Sequence, residues 1–113
     1  MTAERRGLSA FAQAVVATVA AVPHGRVVSY GGIALLMGRP RAGRGVGSVL
    51  QALPDDVEVP WWRVINARGE ISPGADPHRA RLQRTLLRRE GVRFDRAGRI
   101  SWVKYGWNRV VEQ

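Results

Sequence analysis

The strongest constraint on the fold is a pair of short amphipathic helices separated only by the turn Gly38-Arg39-Pro40-Arg41-Ala42. Ser29 can cap a helix from about Tyr30 to Met37, with Ile33, Leu36 and Met37 facing inward and Gly38 and Pro40 ending it. The next helix runs from about Gly43 to Leu53, where Val46, Val49, Leu50 and Leu53 share one face and Pro54 stops it. Helices joined this tightly have the outline of a helix-turn-helix.

The flanking segments supply the rest of the core. Leu8, Phe11, Val15, Val19 and Val22 recur at helical spacing behind a capping Ser9, and Pro23-His24-Gly25 ends that helix. Val57, Val59, Val64 and Ile65 favour an extended strand or buried loop, followed by a turn at Asn66-Ala67-Arg68-Gly69. Asp76 and Pro77 open another helix that carries Leu82, Leu86 and Leu87 inward and shows Arg81, Arg84 and Arg88 outward. Val92-Arg93-Phe94 and Ile100-Ser101-Trp102-Val103, placed around Arg96-Ala97-Gly98, predict a terminal hairpin. The expected fold is one α/β domain, mostly α: a winged-helix-like helix-turn-helix with a small C-terminal hairpin, spanning residues 1–113 with its core at about 8–107.

Charge points to the partner. Eighteen basic against 9 acidic residues give +9, and Lys104 is the only lysine, so the charge is nearly all arginine. A domain this basic favours a polyanion, and the planar guanidinium both grips phosphate and stacks on bases. The segment Met1 to Gly7 lacks the apolar core and cleavage pattern of a secretory signal, and no run is long enough to span a bilayer. A cytoplasmic protein without membrane contact is the expectation.

Catalytic chemistry finds little support. Zero cysteines exclude disulfides, thiolate metal sites and thiol nucleophiles together. Asp55, Asp56 and Glu58 sit in a turn and read as a solvated loop, and His24 and His78 stand apart with no ligand partner at fixed spacing. Gly43-Arg44-Gly45-Val46-Gly47 lacks the Lys-Ser/Thr of a phosphate loop. No metal or cofactor is expected. What remains is Tyr30, Arg44, Trp61, Trp62 and Arg63, an aromatic and arginine set suited to binding, although each ring could equally serve the core.

These residues fall in a known order. The runs Val22 to Ala34, Arg44-Gly45-Val46-Gly47 and Pro60-Trp61-Trp62-Arg63-Val64-Ile65-Asn66-Ala67-Arg68-Gly69, with Glu90-Gly91-Val92 and Tyr105-Gly106-Trp107, resemble the DNA-binding domain of the O6-alkylguanine-DNA alkyltransferases. The match is best to their alkyltransferase-like relatives, in which the cysteine of Pro-Cys-His-Arg-Val is replaced, commonly by tryptophan, as at Trp61. The resemblance implies a monomer that docks its recognition helix in the minor groove of double-stranded DNA, flips an O6-alkylguanine out and holds it without repair. It also implies a damage-recognition partner from nucleotide excision repair. Carried over by position, Arg44 is the finger that fills the vacated stack and Tyr30 presses on the adjacent phosphate. Gly45, Gly47 and Ser48 belong to the recognition helix, whose small residues allow close approach to the sugar-phosphate walls. Arg63 and Arg68 are expected on phosphates. The base pocket is expected from Trp61, Trp62, Val64 and the loop Ser72-Pro73-Gly74.

The chain departs from the pattern at three places. Trp62 stands where the family has the activating histidine, Leu53 where the enzymes have an asparagine, and Ser72-Pro73-Gly74 lacks the tyrosine of the enzymes and the arginine of some relatives. Trp62 either touches the base or packs beneath it. The competing readings are a helix-turn-helix transcriptional regulator, for which Gly45 and Gly47 supply no base-reading side chains, and a non-specific DNA binder.

Overall fold

A computed structural model describes residues 7–107; the segment Met1 to Arg6, read above for a leader, lies outside the described residues. Helix α1, Ala10–Ala20, starts where the Ser9 hydroxyl accepts the Ala12 N–H at 3.0 Å, and it buries Val15, Val16 and Val19. After the turn at Gly25, the chain extends as β1, Val28–Ser29, and enters α2, Tyr30–Leu36, with the Ser29 hydroxyl accepting the Gly32 N–H at 2.8 Å. Gly38, at φ +78°, turns the chain towards α3, Gly43–Ala52, which has no side-chain cap. Helices α1, α2 and α3 pack on one another through Val15, Val19, Ile33, Ala34, Val46 and Leu50, which confirms the helix-turn-helix.

The second half closes on this bundle through a feature with no local signature. A 3-10 turn at Trp61–Arg63 leads into β2, Val64–Ile65, which pairs in parallel with β1 in the register Val28 with Val64 and Ser29 with Ile65. Helix α4, Pro77–Arg89, begins as expected, with the Asp76 carboxylate accepting the Arg79 N–H at 3.0 Å and Pro77 in its first turn. Its buried residues are Gln83 and Leu87, which with Val27, Ile65, Val92 and Ile100 surround a smaller second core.

Three expectations are corrected. Leu36 and Leu82 are exposed, because the stripes that bury are Ile33 with Ala34 in α2 and Gln83 with Leu87 in α4. The terminal hairpin shrinks to a single antiparallel bridge between Phe94 and Ile100, across a turn in which Asp95 accepts the N–H groups of Ala97 and Arg99. Trp102 and Val103 are helical: they lie in α5, Trp102–Tyr105, because the Ser101 hydroxyl accepts the Lys104 N–H and caps a turn. The chain then returns beside Val27, whose N–H donates to the Tyr105 carbonyl and whose carbonyl accepts from Trp107 N.

Candidate nucleic-acid interface

Tyr30 is the first residue of α2, so the Ser29 cap fixes where its ring leaves the backbone. Gly43 and Gly47 of α3 make room for it: a Cβ at Gly43 would meet the Gly31 backbone at 3.4 Å, and one at Gly47 the Tyr30 ring at 3.7 Å. Across the gap the Ser72 hydroxyl donates to the Tyr30 hydroxyl at 3.2 Å. Tyr30, Arg44, Gly47, Ser48, Gln51 and Ser72 thereby line one cavity of about 350 Å³. Arg44 is exposed in the first turn of α3, and its side chain has no hydrogen bond or ion pair among the described residues. An uncapped helix start carrying a free guanidinium attracts an anion.

Trp61 and Trp62 meet edge to face, with centroids 5.9 Å apart and planes at 86°. The guanidinium carbon of Arg79 lies 4.0 Å from the Trp61 ring centroid, and its Nη2 donates to the Leu50 carbonyl at 3.1 Å. Trp62 donates its indole N–H to Glu90 at 2.8 Å. Glu90 also accepts the Gly25 N–H at 2.9 Å and both Nε and Nη2 of Arg63, the latter at 2.7 Å. Burial pushes the Glu90 carboxyl up. The hydrogen bonds from Arg63, Gly25 and Trp62, together with the Arg63 charge, outweigh it and hold the group below its ordinary range. The Gln83 amide donates to the carbonyls of Trp62 and Val64 and so fixes the 3-10 turn from beneath.

Neither ring at 61 or 62 can act as nucleophile or base, since a neutral indole offers only a donor N–H, and that of Trp62 is already committed to Glu90. Both tryptophans line a second groove, of about 570 Å³, with Val57, Val59 and Pro60.

The structure redistributes the residues expected at this site. It brings Tyr30, Arg44, Gly47, Ser48 and Ser72 together around one cavity. Pro73 and Gly74 are exposed beyond Ser72. Arg63 is not placed for phosphate: its side chain is 13% exposed, it is paired with Glu90, and its Nη1 donates to the Val22 carbonyl at 2.7 Å. Val64 is fully buried in the main core and lines no pocket wall. Gly45 turns inward, where a Cβ would come within 3.1 Å of the Phe11 ring, so its small size serves the α1–α3 contact and not the groove. Arg68 is exposed on a separate cavity shared with Arg93, Arg99 and Lys104.

Two residues that organise the site, Arg79 and Gln83, escaped the sequence reading, and Glu90 entered it only within the Glu90-Gly91-Val92 match, with no part in the site. A signal existed for Gln83, an amide four residues before Leu87 on the stripe that buries.

Residues 10–92 match the family described as 6-O-methylguanine DNA methyltransferase, DNA binding domain. The chain belongs to that family. Among its relatives is the DNA base-flipping protein of Escherichia coli (strain K12), 46% identical over 99 residues that cover 87% of this chain and 74% of the relative. Alkyltransferase-like protein 1 of Schizosaccharomyces pombe (strain 972 / ATCC 24843) is 38% identical over 93 residues, covering 79% of this chain and 86% of that protein. A crystal structure of S. pombe Atl1 with damaged DNA containing O6-carboxymethylguanine superposes at a TM-score of 0.77 with 34% identity, covering 87% of this chain and 94% of that one. This member of the methyltransferase DNA-binding family carries no cysteine anywhere in its 113 residues.

Proposed function

We propose that the protein binds O6-alkylguanine in double-stranded DNA by flipping the nucleotide and holding the base, with no alkyl transfer. The observation that carries this is the cavity of Tyr30, Gly47, Ser48 and Ser72 fronted by the free Arg44, in a chain that also presents two indoles, Trp61 and Trp62, on a separate groove. O6-alkylation removes the N1 proton of guanine and weakens its pairing, so extruding the damaged base costs less than extruding a normal one. Arg44 replaces the lost stacking and Tyr30 holds the rotated backbone. An aromatic wall then favours a base that carries an added alkyl group. Attack on the alkyl carbon needs a thiolate, and the chain has none. The bound lesion is thereby left intact for another system, for which nucleotide excision repair in the cytoplasm is the reading that follows.

The test is affinity for a duplex with one O6-methylguanine against the same duplex with guanine, at fixed salt. Tighter binding of the damaged duplex is expected, with the methyl group still on the DNA after long incubation. Equal affinity at every salt concentration refutes damage recognition, and loss of the methyl group refutes the absence of transfer.

A further inference from the structure

The cavity of about 350 Å³ that Arg68 shares with Arg93, Arg99 and Lys104 lies outside the Tyr30 site, and its charge is poorly balanced. Asp95 is the only carboxylate among the described residues that line it, and that group already accepts the Ala97 and Arg99 N–H groups. Arg99 is tied to Glu70 at 3.2 Å. The side chains of Arg68, Arg93 and Lys104 are exposed and have no hydrogen bond or ion pair among the described residues. Four cations around one recess repel one another, and an anion relieves them. Ser101 and Tyr105 on the same wall add hydroxyl groups that can donate to phosphate oxygens.

The chain path puts this recess beside the site of Tyr30. Strands β1 and β2 are parallel, so Tyr30 and Asn66 leave the pair at the same end, on backbones about 4.8 Å apart. Asn66 Oδ1 accepts the N–H groups of Arg68 and Glu70, at 3.0 and 2.9 Å, and closes the turn that carries Arg68. The chain then comes back to Ser72, whose hydroxyl donates to that of Tyr30. Both ends of the loop bearing Arg68 therefore meet Tyr30. The segment with the other cations is held to the same turn, since the Ile100 N–H donates to the Gly69 carbonyl at 2.8 Å and Arg99 bonds Glu70.

We infer that this cavity is a second phosphate seat, which holds the backbone of the lesion-bearing duplex on one side of the flipped nucleotide and makes the footprint of the protein asymmetric. The inference rests on the base-flipping reading above. A duplex carries one negative charge per ~1.7 Å of its axis, so a strand anchored at Tyr30 brings phosphates to the neighbouring cations. An acidic protein segment would match the charge, but only the duplex is already fixed at the adjoining site.

Three proteins are titrated at several salt concentrations: the wild type, the double variant Arg93→Gln with Lys104→Gln, and a control, Arg81→Gln with Arg89→Gln, which removes the same charge from exposed positions of α4 outside the cavity. The ligands are a long duplex with a central O6-methylguanine, the same duplex with guanine, and two O6-methylguanine duplexes cut short on one or the other side of the lesion. The cavity variant is expected to lose about tenfold on the long damaged duplex, with a salt slope smaller by about two, one for each phosphate contact removed. The control should lose at most about threefold, since exposed charges beyond a Debye length are screened. The wild type should bind one shortened duplex about tenfold more weakly than the long one, and on that duplex the cavity variant should match it. The ratio of damaged to normal affinity should stay within about twofold of the wild type, because a phosphate contact carries no base information. An equal loss in the control overturns the inference, and so does an unchanged salt slope, which leaves the cations to another anion such as an acidic protein segment. A wild type that binds both shortened duplexes alike overturns it with no variant needed, so the test survives a variant that unfolds early. A wild type that does not prefer the damaged duplex refutes the base-flipping reading instead, and that result is read from the two long duplexes alone.

Discussion

Replacing Glu90 by glutamine keeps the size of the side chain and removes its charge, which isolates what the carboxylate does. In the native protein it receives Arg63, Trp62 and the Gly25 N–H together, at a side-chain exposure of only 7%. Breaking a largely buried ion pair from one side costs about 3–5 kcal/mol, because the other charge is left without a partner. The amide retains one acceptor oxygen, so about 3 kcal/mol is expected. Unfolding entropy of ~2.1 cal/mol/K per residue over 113 residues turns that into a fall in Tm of about 13 °C. The comparison is Glu70→Gln, whose partner Arg99 is 53% exposed and whose loss should cost at most about 1 kcal/mol, or about 4 °C.

The difference between wild type and Glu90→Gln also depends on pH. The folded pKa lies below the ordinary value, so the stabilisation is fully present above the carboxyl's unfolded pKa and is lost as pH falls through the folded one. Thermal unfolding of the three proteins from neutral to acid pH reads both effects. A Glu90→Gln protein that melts with Glu70→Gln, or a gap that does not narrow on acidification, refutes the assignment of Glu90 as the centre of this network.

Two other outcomes are expected. Gly69 sits at φ +82° with the position of a Cβ 2.6 Å from the Ile100 carbonyl oxygen, so Gly69→Ala should cost more than about 2 kcal/mol in denaturant unfolding, while Gly74→Ala, with open space around it, should be neutral. Arg44→Ala should reduce the fluorescence of a base analogue beside the lesion more than it reduces binding to undamaged duplex; a signal that survives the change would contradict the finger role.

What the sequence revealed was what is decided locally. Ser9, Ser29 and Asp76 each bond a backbone N–H three residues on, so side chain and partner lie within one turn and the helix starts are legible. The pairing of Val28–Ser29 with Val64–Ile65 joins distant segments in parallel, and no periodicity in either dipeptide announces it. The direction of a side chain in the Trp61–Arg63 turn is equally non-local. Arg63 points inward only because Glu90 arrives from the end of α4, and a basic residue in a DNA-binding motif otherwise reads as a phosphate contact. Trp102 and Val103 have strand-forming side chains, yet one serine hydroxyl at Ser101 decides for helix. Gly45 and Gly47 look alike in sequence and face different neighbours, Phe11 and Tyr30, because successive positions on a helix differ in direction by about 100° and alternate ones by about twice that.

The two-residue parallel pair is too short to add much stability, but it fastens the strand that leads into Tyr30 directly beside the strand that follows Trp61–Arg63. Tyr30 and the two indoles are thus held by one continuous frame, with no linker between them. Adjustment on binding falls instead to the groups outside that frame, the Arg44 side chain and the loop from Ser72 to Asp76. Ordering so few groups carries a small entropic cost, which lets even a rare encounter with a displaced base end in capture.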